Sequence, residues 1–576
     1  MLGHRFPAAL GLPRGLLLGR SVTRRSLSAM AGGEAEGPLG GFFDYMERLR
    51  NYERSGVPRG AGTDSDDGFD LGRMRRLLRR LGDPHTDFPA VHIAGTKGKG
   101  STAALLSNIM RAQGYNVGSY SSPHLLTIRE RISVGNDGGP VPVRLLSDLF
   151  DGAKEAIDEA IELENGSLTH FEVFTALSFL LFSQENVDIA IIETEIGSNA
   201  IDITDFKEVL KAKGLGGARD ATNVIRSTEL AASVITTVGR EHLVALGGSL
   251  QSIAIAKSGI IKQGQPVVIG GPFSAVIEQI IRDRAFLTQS PVISACDPGI
   301  KSFTKCIDWD NGKPYQRCYF SINISNDVPL SIEMHDINLQ LLGDHQRQNA
   351  VTAACTALCL RSLGWEISDA SIQAGLRETQ LPGRSQFLTA EEASVLGLDG
   401  ASTVLIDGAH TEESAKALSG VIEAVRPEGP LALVVGMASD KEHLAFAEQL
   451  LSGQTPDVVL LTEASIAGGS SRAMPASSLK EVWIAAARHR GIEYVDIGGI
   501  SGTETLEHIA DLLGSPSLSS RRKPMVIGCQ DMGPFSWNLI IAASQLLESR
   551  GRAPGLICVT GSLHLVGAIL QKLGRH

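Results

Sequence analysis

The 576-residue chain has little that points to a membrane, a disulfide framework or nucleic acid. No uninterrupted apolar run is long enough to cross a bilayer. The seven cysteines contain no CxxC pair, and a scattered, odd set is typical of reduced thiols in a reducing compartment. A net charge of -11 argues against general nucleic-acid binding, although a local basic cleft is compatible with it. We therefore expect neither a membrane nor a nucleic acid as a partner.

The first 33 residues lack aspartate and glutamate but carry five arginines. Arginines spaced among leucine, alanine, serine and glycine are typical of an organellar transit peptide. We expect residues 1–33 to be such a peptide, directing the chain to the mitochondrial matrix. Composition leaves alternatives open: a chloroplast or cytosolic destination, a basic tail without a targeting role, or a misplaced start codon.

The chain is too long for one compact core, so two domains plus extensions are expected. Short apolar strands alternate with helices in two blocks, which predicts α/β domains with parallel sheets covered on both faces. We place the domain boundary near 380, at the turn Leu381-Pro382-Gly383. The first domain is then 34–380, and the second is 381–576. No internal repeat is evident.

The predicted elements follow that alternation. Predicted strands are 91–94, 116–120, 187–193, 233–238, 266–269, 403–406, 431–435, 457–462 and 555–560. Predicted helices are 42–52, 101–113, 144–163, 171–184, 249–261, 346–363, 411–425, 440–451, 475–490 and 563–573. A β-rich stretch is expected at 291–342, and Met525 to Leu546 has no obvious place in the second sheet.

A glycine-rich loop between a strand and a helix is the most informative segment. Val91 to Ala94 reads as a buried strand, three glycines follow within six residues, and an Ala/Leu-rich helix begins near Thr102. Such a loop lets backbone N–H groups converge on an anion at the positive end of a helix. Lys99 would add a mobile positive charge, and Ser101 a hydroxyl near a magnesium ion. The spacing departs from the standard phosphate-loop pattern, so an ordinary glycine turn is the alternative.

Polar residues follow three predicted strands of the first block. Ser122 follows the second strand, Glu193 and Glu195 follow the third, and Glu241 with His242 follows the fourth. The carboxyl ends of parallel strands share one edge of a sheet, and magnesium prefers oxygen ligands. Each residue alone is equally typical of a turn or a helix cap.

Other candidates lie farther along the chain. Lys257 stands among apolar and small residues of a predicted helix, where its stem either snorkels over apolar surface or a modified amine faces a metal. Asp407 and His410 end a strand of the second block and would face the crevice between the domains. Asn349 and Arg384 lie on predicted helix or turn edges, where solvated surface positions are the alternative.

Together these segments resemble the folylpolyglutamate synthase and dihydrofolate synthase family, within the wider ATP-dependent Mur-type amide ligases. The matching motifs run in family order over nearly all of the chain after the predicted transit peptide. They are Gly95-Thr96-Lys97-Gly98-Lys99-Gly100-Ser101, Ser121-Ser122-Pro123-His124-Leu125 with Glu130-Arg131-Ile132, Phe171-Glu172, Glu195-Ile196-Gly197 with Leu215 to Asn223, His242 with Ala256-Lys257-Ser258-Gly259-Ile260, Gly343 to Ala350, Pro382-Gly383-Arg384, Asp407-Gly408-Ala409-His410, Asp440-Lys441, Arg472 and Gly561-Ser562-Leu563. Lys97 and the transit peptide are similar to those of plant members.

The resemblance implies a role for each matching residue. Those implied to bind ATP are Gly95, Thr96, Gly98, Lys99, Gly100, Ser101, Asn349, Arg384 and Asp407. Those implied to bind magnesium are Ser122, Glu195 and His242. Those implied to form the pterin-side pocket are Phe171, Glu172, Arg219, Asp220 and Ala221. Catalytic roles are implied for Lys99, for Lys257 as a carbamate that binds a second metal, and for His410 near the γ-phosphate or the incoming amino acid.

The implied fold is an N-terminal P-loop ATPase-like domain with a parallel sheet, followed by a C-terminal Rossmann-like α/β domain. The implied activity is ATP-dependent joining of L-glutamate to dihydropteroate through an acyl phosphate. Folylpolyglutamate synthase and an inactive nucleotide-binding protein are the alternatives. ATP and Mg²⁺ are the implied cofactors, with a monovalent cation as a further candidate, and we expect a monomer.

Two features depart from the family pattern. Residues 198–214 interrupt a loop that is continuous in the family, between the predicted ligand Glu195 and the predicted pocket residues Arg219 and Asp220. This insertion either reflects a retained intron or displaces part of the site. Thr411-Glu412 also replaces the family's usual Asn-Pro after His410.

Overall fold

The structure is a computed structural model. It describes residues 37–51, 71–194, 220–239, 249–325, 328–398, 402–426, 428–463, 473–501, 524–530, 538–550 and 554–574. Outside the described residues lie the predicted transit peptide, the insertion at 198–214, Glu195, Arg219, Glu241, His242 and Arg472.

A seven-stranded, mostly parallel sheet lies in the N-terminal half. Its strands are β1 Ala90–Ala94, β2 Val117–Tyr120, β3 Ile132–Ser133, β4 Ile189–Glu193, β5 Leu230–Ile235, β6 Val267–Ile269 and β7 Val292–Ser294. They lie in the order β3-β2-β4-β1-β5-β6-β7, and only β2 and β3 pair antiparallel. The carboxyl ends of β2, β4, β1 and β5 therefore share one edge, as the sequence predicted.

Helices cover both faces of this sheet. They are α1 Gly40–Arg48, α2 Leu71–Arg80, α3 Lys99–Gln113, α4 Val143–Leu163, α5 His170–Gln184, α6 Leu250–Ser258, α7 Ala275–Leu287, α8 Asp344–Ser362 and α9 Asp369–Glu378. Val91 and Ile93 of β1 belong to an apolar cluster with α3, α8 and α9, whereas Ala90 belongs to a cluster with α2, α4 and α5. Strands buried on both faces explain the continuous apolar runs in the sequence.

The predicted β-rich stretch forms a separate antiparallel sheet. Its strands are β8 Ile300–Asp310, β9 Lys313–Ile324 and β10 Leu330–Leu339, in the order β10-β9-β8. Along β9, buried residues alternate with partly buried ones over most of its length, which is the period of a sheet with one covered face.

A second seven-stranded sheet lies in the C-terminal half. Its strands are β11 Gln386–Phe387, β12 Thr403–Ile406, β13 Leu431–Val435, β14 Val458–Thr462, β15 Val495–Ser501, β16 Met525–Gln530 and β17 Leu556–Thr560. The order is β11-β12-β17-β13-β14-β16-β15, and only β11 and β12 pair antiparallel. Its helices are α10 Ala390–Val395, α11 Glu412–Val425, α12 His443–Leu450, α13 Ala476–His489, α14 Asn538–Glu548 and α15 Leu563–Lys572. The two large sheets confirm the predicted α/β class, while the boundary at 380 remains a prediction.

The expectation that Met525 to Leu546 has no place in the second sheet was wrong. Met525–Gln530 is β16, which pairs in parallel with β14 on one side and β15 on the other. Three consecutive apolar residues, Met525 to Ile527, are too short a run to separate a strand from a loop. Pairing with neighbours distant in sequence supplies the hydrogen bonds that local pattern does not reveal.

Strand β5 ends three residues earlier than the sequence predicted, at Ile235. Thr236 and Thr237 leave the sheet, and their hydroxyl groups bond to the backbone of Lys97. Helix α6 likewise ends at Ser258, where the Gly259 amide turns back to Ala256. Both shifts occur where the chain approaches the glycine-rich loop.

The helices of the described residues include none that combines the length and apolarity needed to span a bilayer.

Gly375 allows α9 to pack directly on the backbone of α3. A Cβ at Gly375 would overlap the backbone of Ile109 and lie 2.7 Å from the carbonyl carbon of Asn108. We expect Gly375→Ala to lower the free energy of unfolding by about 1–3 kcal/mol. Gly420→Ala on α11 is the matched control, because nothing lies within 4 Å of a Cβ there, and it should be neutral or stabilising. Chemical unfolding of both variants checks this, and an unchanged Gly375→Ala protein would contradict the packing.

Candidate active site

The glycine-rich loop, residues 95–101, joins β1 to α3 and is held by the two threonines after β5. The Thr236 hydroxyl donates to the Lys97 carbonyl oxygen at 2.6 Å, and the Lys97 amide donates to the Thr237 hydroxyl at 2.8 Å. The Thr96 amide donates to the Thr237 carbonyl at 2.8 Å. Gly95 has no room for a side chain, since a Cβ there would overlap the Thr236 hydroxyl. These contacts therefore fix the backbone of the loop.

The first turn of helix α3 has the backbone geometry of an anion-binding site. Gly98 precedes it with φ of 83°, a left-handed conformation that favours glycine, and no side chain caps the helix. A Cβ at Gly98 would also overlap the Asn349 side-chain oxygen, so predicted ATP residues from α3 and α8 meet here. The first-turn N–H groups thus offer positive potential to a phosphate.

The carboxylate of Glu193, at the end of β4, faces this loop. Its Oε1 lies 3.5 Å from Lys99 Nζ, and its Oε2 lies 3.5 Å from the Ser122 amide nitrogen. The residue is 3% exposed. Burial raises the pKa of the Glu193 carboxyl above its ordinary value, whereas Lys99, the Ser122 amide and Arg384 act to lower it. Three separate segments therefore converge on one desolvated charge.

Glu193 is the acidic residue that sequence reasoning passed over in favour of Glu195. The signal was present, because both glutamates follow the same strand. The pairing of β4 with β1 extends to Glu193, opposite Ile93, and so fixes the position of its backbone. A Cβ on Gly100 would lie 3.3 Å from Glu193 Oε2, which explains the extra glycine in this loop.

The residues at this edge fit a magnesium ion bound to a nucleotide. Glu193 offers a carboxylate and Ser122 a hydroxyl, both of them oxygen donors. No group of three His, Cys, Asp or Glu side chains within the described ranges forms a complete metal cage. Magnesium in nucleotide sites typically has few protein ligands, because phosphates and water complete its shell.

Lys257 reaches the first residue of the loop from α6. It is 2% exposed, and its Nζ donates to the Gly95 carbonyl oxygen at 2.8 Å. The side chain is therefore buried and directed at the site rather than extended over the surface. Its carbamylation remains a prediction.

Two predicted residues of the C-terminal half, Asp407 and His410, lie in the turn after β12. Asp407 is buried, and its carboxylate accepts hydrogen bonds from the Ser385 amide at 2.6 Å and the Ala409 amide at 2.8 Å. His410 Nδ1 donates to the Gly408 carbonyl oxygen at 2.8 Å, which sets its tautomer. Thr411 caps α11 through the Ser414 amide, so the departure from Asn-Pro preserves a helix start.

His345 lies close to both halves, although sequence reasoning gave it no role. His345 is solvent-exposed, yet the protein around its ring partly desolvates it and lowers its pKa; Asp407 opposes that effect, and Arg384 reinforces it. Arg384 also acts on Glu193 of the first sheet. Arg384 and Asp407 of the second half therefore lie within electrostatic reach of residues of the first half.

The predicted pocket residues that the structure describes lie on the opposite side of β1 and β4 from α3. Phe171 and Ala221 belong to the apolar cluster of α2, α4 and α5. Glu172 is 1% exposed, bonds to Arg73 Nε at 2.8 Å and caps α5 through Thr169. Its contacts are those of a buried ion pair and helix cap, and its predicted role in substrate binding remains a prediction.

A buried histidine connects the strand of the loop to the predicted pocket. His92 Nε2 lies 2.8 Å from the Thr222 hydroxyl, which in turn donates to Asp220. Because the hydroxyl proton goes to Asp220, His92 must donate from Nε2, and Nδ1 carries a lone pair. This Nδ1 is buried and has no partner within the described residues. Sequence reasoning read His92 only as part of a strand.

Comparison with known proteins assigns these features to one family. The chain is 31% identical over 385 residues to the dihydrofolate synthase/folylpolyglutamate synthase of Bacillus subtilis, covering 66% of this chain and 78% of that protein. The chain belongs to the dihydrofolate synthase/folylpolyglutamate synthase family. This family comprises ATP-dependent, amide-bond-forming ligases. No family model matches the chain.

Two further comparisons extend over most of the chain. It is 26% identical over 601 aligned positions to the human mitochondrial folylpolyglutamate synthase, covering 87% of this chain and 89% of that protein. A solved structure of Escherichia coli FolC in complex with DHPP and ADP superimposes with a TM-score of 0.64 at 23% identity, covering 94% of this chain and 98% of that one. At that identity the superposition shows the dihydrofolate synthase/folylpolyglutamate synthase fold alone.

The buried His92 makes the stability of this chain depend on pH. Burial lowers the pKa of His92 to about 3, and Lys262 acts in the same direction. Between that value and the ordinary 6.5, the unfolded chain binds a proton that the folded chain does not. The wild type should therefore lose stability relative to His92→Gln as pH falls below 6.5, by about 1.4 kcal/mol per pH unit. Urea unfolding of both proteins across this range checks it, and a pH-independent difference would show that His92 titrates normally.

Proposed function

We propose that the chain is a dihydrofolate synthase, which joins L-glutamate to dihydropteroate at the expense of ATP in tetrahydrofolate biosynthesis. The observation that carries this is the convergence of the glycine-rich loop, Lys99 and Ser122 on the buried Glu193. Family membership supports the reaction class, and the E. coli neighbour was solved with DHPP and ADP.

The nucleotide would bind across the two halves. The backbone of Gly95 to Ser101 and the start of α3 would hold the phosphates, with Lys99 as a mobile counter-charge. Asn349, beside Gly98, would fix the loop side of the nucleotide. Arg384 and Asp407 would contact it from the second half.

Glu193 and Ser122 would hold magnesium in this site. Bound there, the ion supplies positive charge that offsets repulsion between the triphosphate and the attacking carboxylate. Glu195 and His242 remain predicted ligands, and a monovalent cation remains a predicted cofactor. Lys257, buried beside Gly95, would serve the site as a carbamate.

The chemistry follows from the charges. The carboxylate of dihydropteroate is a poor acyl donor. It would first accept the γ-phosphoryl group of ATP and so form an acyl phosphate. Lys99 and Arg384 would stabilise the negative charge of that transfer. The deprotonated amine of L-glutamate then attacks the acyl carbon, and phosphate leaves. His410 would lie near the γ-phosphate or the incoming amine, and closure of the halves would exclude water.

The pterin end of the substrate would lie by Phe171, Asp220 and Ala221. Asp220 accepts hydrogen bonds from the amide and hydroxyl of Thr222, and that hydroxyl is bonded to His92, so the carboxylate is oriented before substrate arrives. Such preorganisation lowers the entropic cost of binding. Glu172 and Arg219 remain predicted members of this pocket.

Folylpolyglutamate synthase is the second candidate, because the human relative with that name matches 87% of this chain. The same relative is mitochondrial, which with the arginine-rich N-terminus supports our proposal of a mitochondrial location. Both activities would use the same loop and the same charges, and they differ in the substrate whose carboxylate is activated.

Measuring the inorganic phosphate that the purified chain releases from ATP distinguishes the candidate functions. We expect ATP turnover that requires L-glutamate together with dihydropteroate. Stimulation by tetrahydrofolate plus L-glutamate alone would instead identify a folylpolyglutamate synthase. No stimulation by either would identify an inactive nucleotide-binding protein. Lys99→Ala is the control for the site: it should abolish turnover in a chain that still folds, with a melting temperature lowered only by the loss of the ion pair to the buried Glu193.

A further inference from the structure

The side chain of Glu130 holds the C-terminal end of the loop after β2, residues 121–127. Glu130 Oε2 accepts the Leu125 amide at 2.8 Å, and Oε1 accepts the Leu126 and Thr127 amides at 2.9 Å each. Hydrogen bonds to an ionised carboxylate are stronger than neutral ones, and three of them here fix consecutive amides. These bonds fix residues 125–127 relative to one another, and Arg131 Nε donates to His124 Nδ1 at 2.9 Å just before them. We call residues 121–127 the strut loop.

One end of the strut loop lies at the glycine-rich loop. The Ser121 amide donates to the Arg131 carbonyl at 2.9 Å, which continues the β2–β3 ladder. The next residue, Ser122, directs its amide to Glu193. Any movement of the strut loop would therefore move Ser122 relative to that carboxylate.

The other end of the strut loop packs against the C-terminal half. Leu125 and Leu126 contact the apolar cluster of the second sheet, α14 and α15. A Cβ on Gly567 of α15 would lie 2.8 Å from the Leu125 carbonyl oxygen, and a Cβ on Gly383 would lie 3.3 Å from Leu125 Cδ1. Gly383 directly precedes Arg384. The contact is thus close, and it adjoins a charge that acts on Glu193.

We propose that Glu130 is a positioning residue for nucleotide binding. By fixing the C-terminal end of the strut loop, it sets Ser122 against Glu193 and, through Leu125, sets Arg384 of the C-terminal half toward the same carboxylate. Glu130 acts only through these residues. The inference rests on the proposed function, since it assumes that the nucleotide binds between the halves, and it adds a residue that couples their positions.

Two variants test the strut loop from opposite ends. Glu130→Gln keeps the size of the side chain but replaces one acceptor oxygen with an amide donor. Gly567→Ala adds one methyl group in α15, against the Leu125 carbonyl. Gly420→Ala, also a helix glycine of the C-terminal half, is the matched control because its Cβ meets open space. All are made in the full chain, alone and in combination.

The measurement is calorimetric titration of AMPPCP in the presence of Mg²⁺. We expect Glu130→Gln and Gly567→Ala each to weaken binding about tenfold, and Gly420→Ala to leave it unchanged. The double variant should be little weaker than either single one, because both changes act through one loop. A role confined to local stability would lower the melting temperature of Glu130→Gln without changing AMPPCP affinity.

The outcomes distinguish a failure of the positioning role from a failure of the proposed function. If the wild type binds AMPPCP and both single variants bind equally well, the positioning role is wrong while the proposed function stands. If the two losses add to about a hundredfold in the double variant, the ends act independently and the strut loop does not couple them. If the wild type binds no nucleotide, the proposed function fails, and this inference fails with it.

Discussion

The rest of the site depends on one constraint: the carboxylate of Glu193, at the end of β4, is buried away from water. A buried charge is unfavourable unless other charges and hydrogen-bond donors compensate for it. Around Glu193 this compensation comes from Lys99 at the start of α3, the Ser122 amide after β2 and Arg384 in the C-terminal half. One desolvated charge thus relates the glycine-rich loop, the strut loop and the second sheet.

The parallel sheet brings these groups together because its strands end at a common edge. Threonines after β5 hold the glycine-rich loop from one side, and Lys257 reaches its first residue from α6. On the other face of β1, His92 connects to Asp220 through Thr222. The glycine-rich loop therefore lies at the end of β1, and the predicted pterin pocket lies beside one face of the same strand, an arrangement suited to activating one substrate beside another.

Much of the fold could be predicted from sequence because its strands are short apolar runs buried on both faces. β12 and β13 have their predicted bounds, since valine and leucine runs end at glycine, proline or aspartate. β16 could not be predicted, because its pairing with β14 and β15 is non-local. Glu193 and Glu195 follow the same strand, and alternation places residues two apart on one face, so the strand pattern alone does not separate them. The family resemblance favoured Glu195, which lies outside the described residues, whereas the end of the β1–β4 ladder fixes the position of Glu193.

The most direct test of this account is the effect of Mg²⁺ on AMPPCP affinity in Glu193→Gln and Glu195→Gln. Glutamine keeps the shape of either side chain and removes its charge. We predict that Mg²⁺ tightens AMPPCP binding by the wild type about tenfold or more, that Glu193→Gln loses this effect, and that Glu195→Gln loses no more of it than Glu193→Gln does. Retained tightening in Glu193→Gln, with loss in Glu195→Gln, would contradict the central place of Glu193.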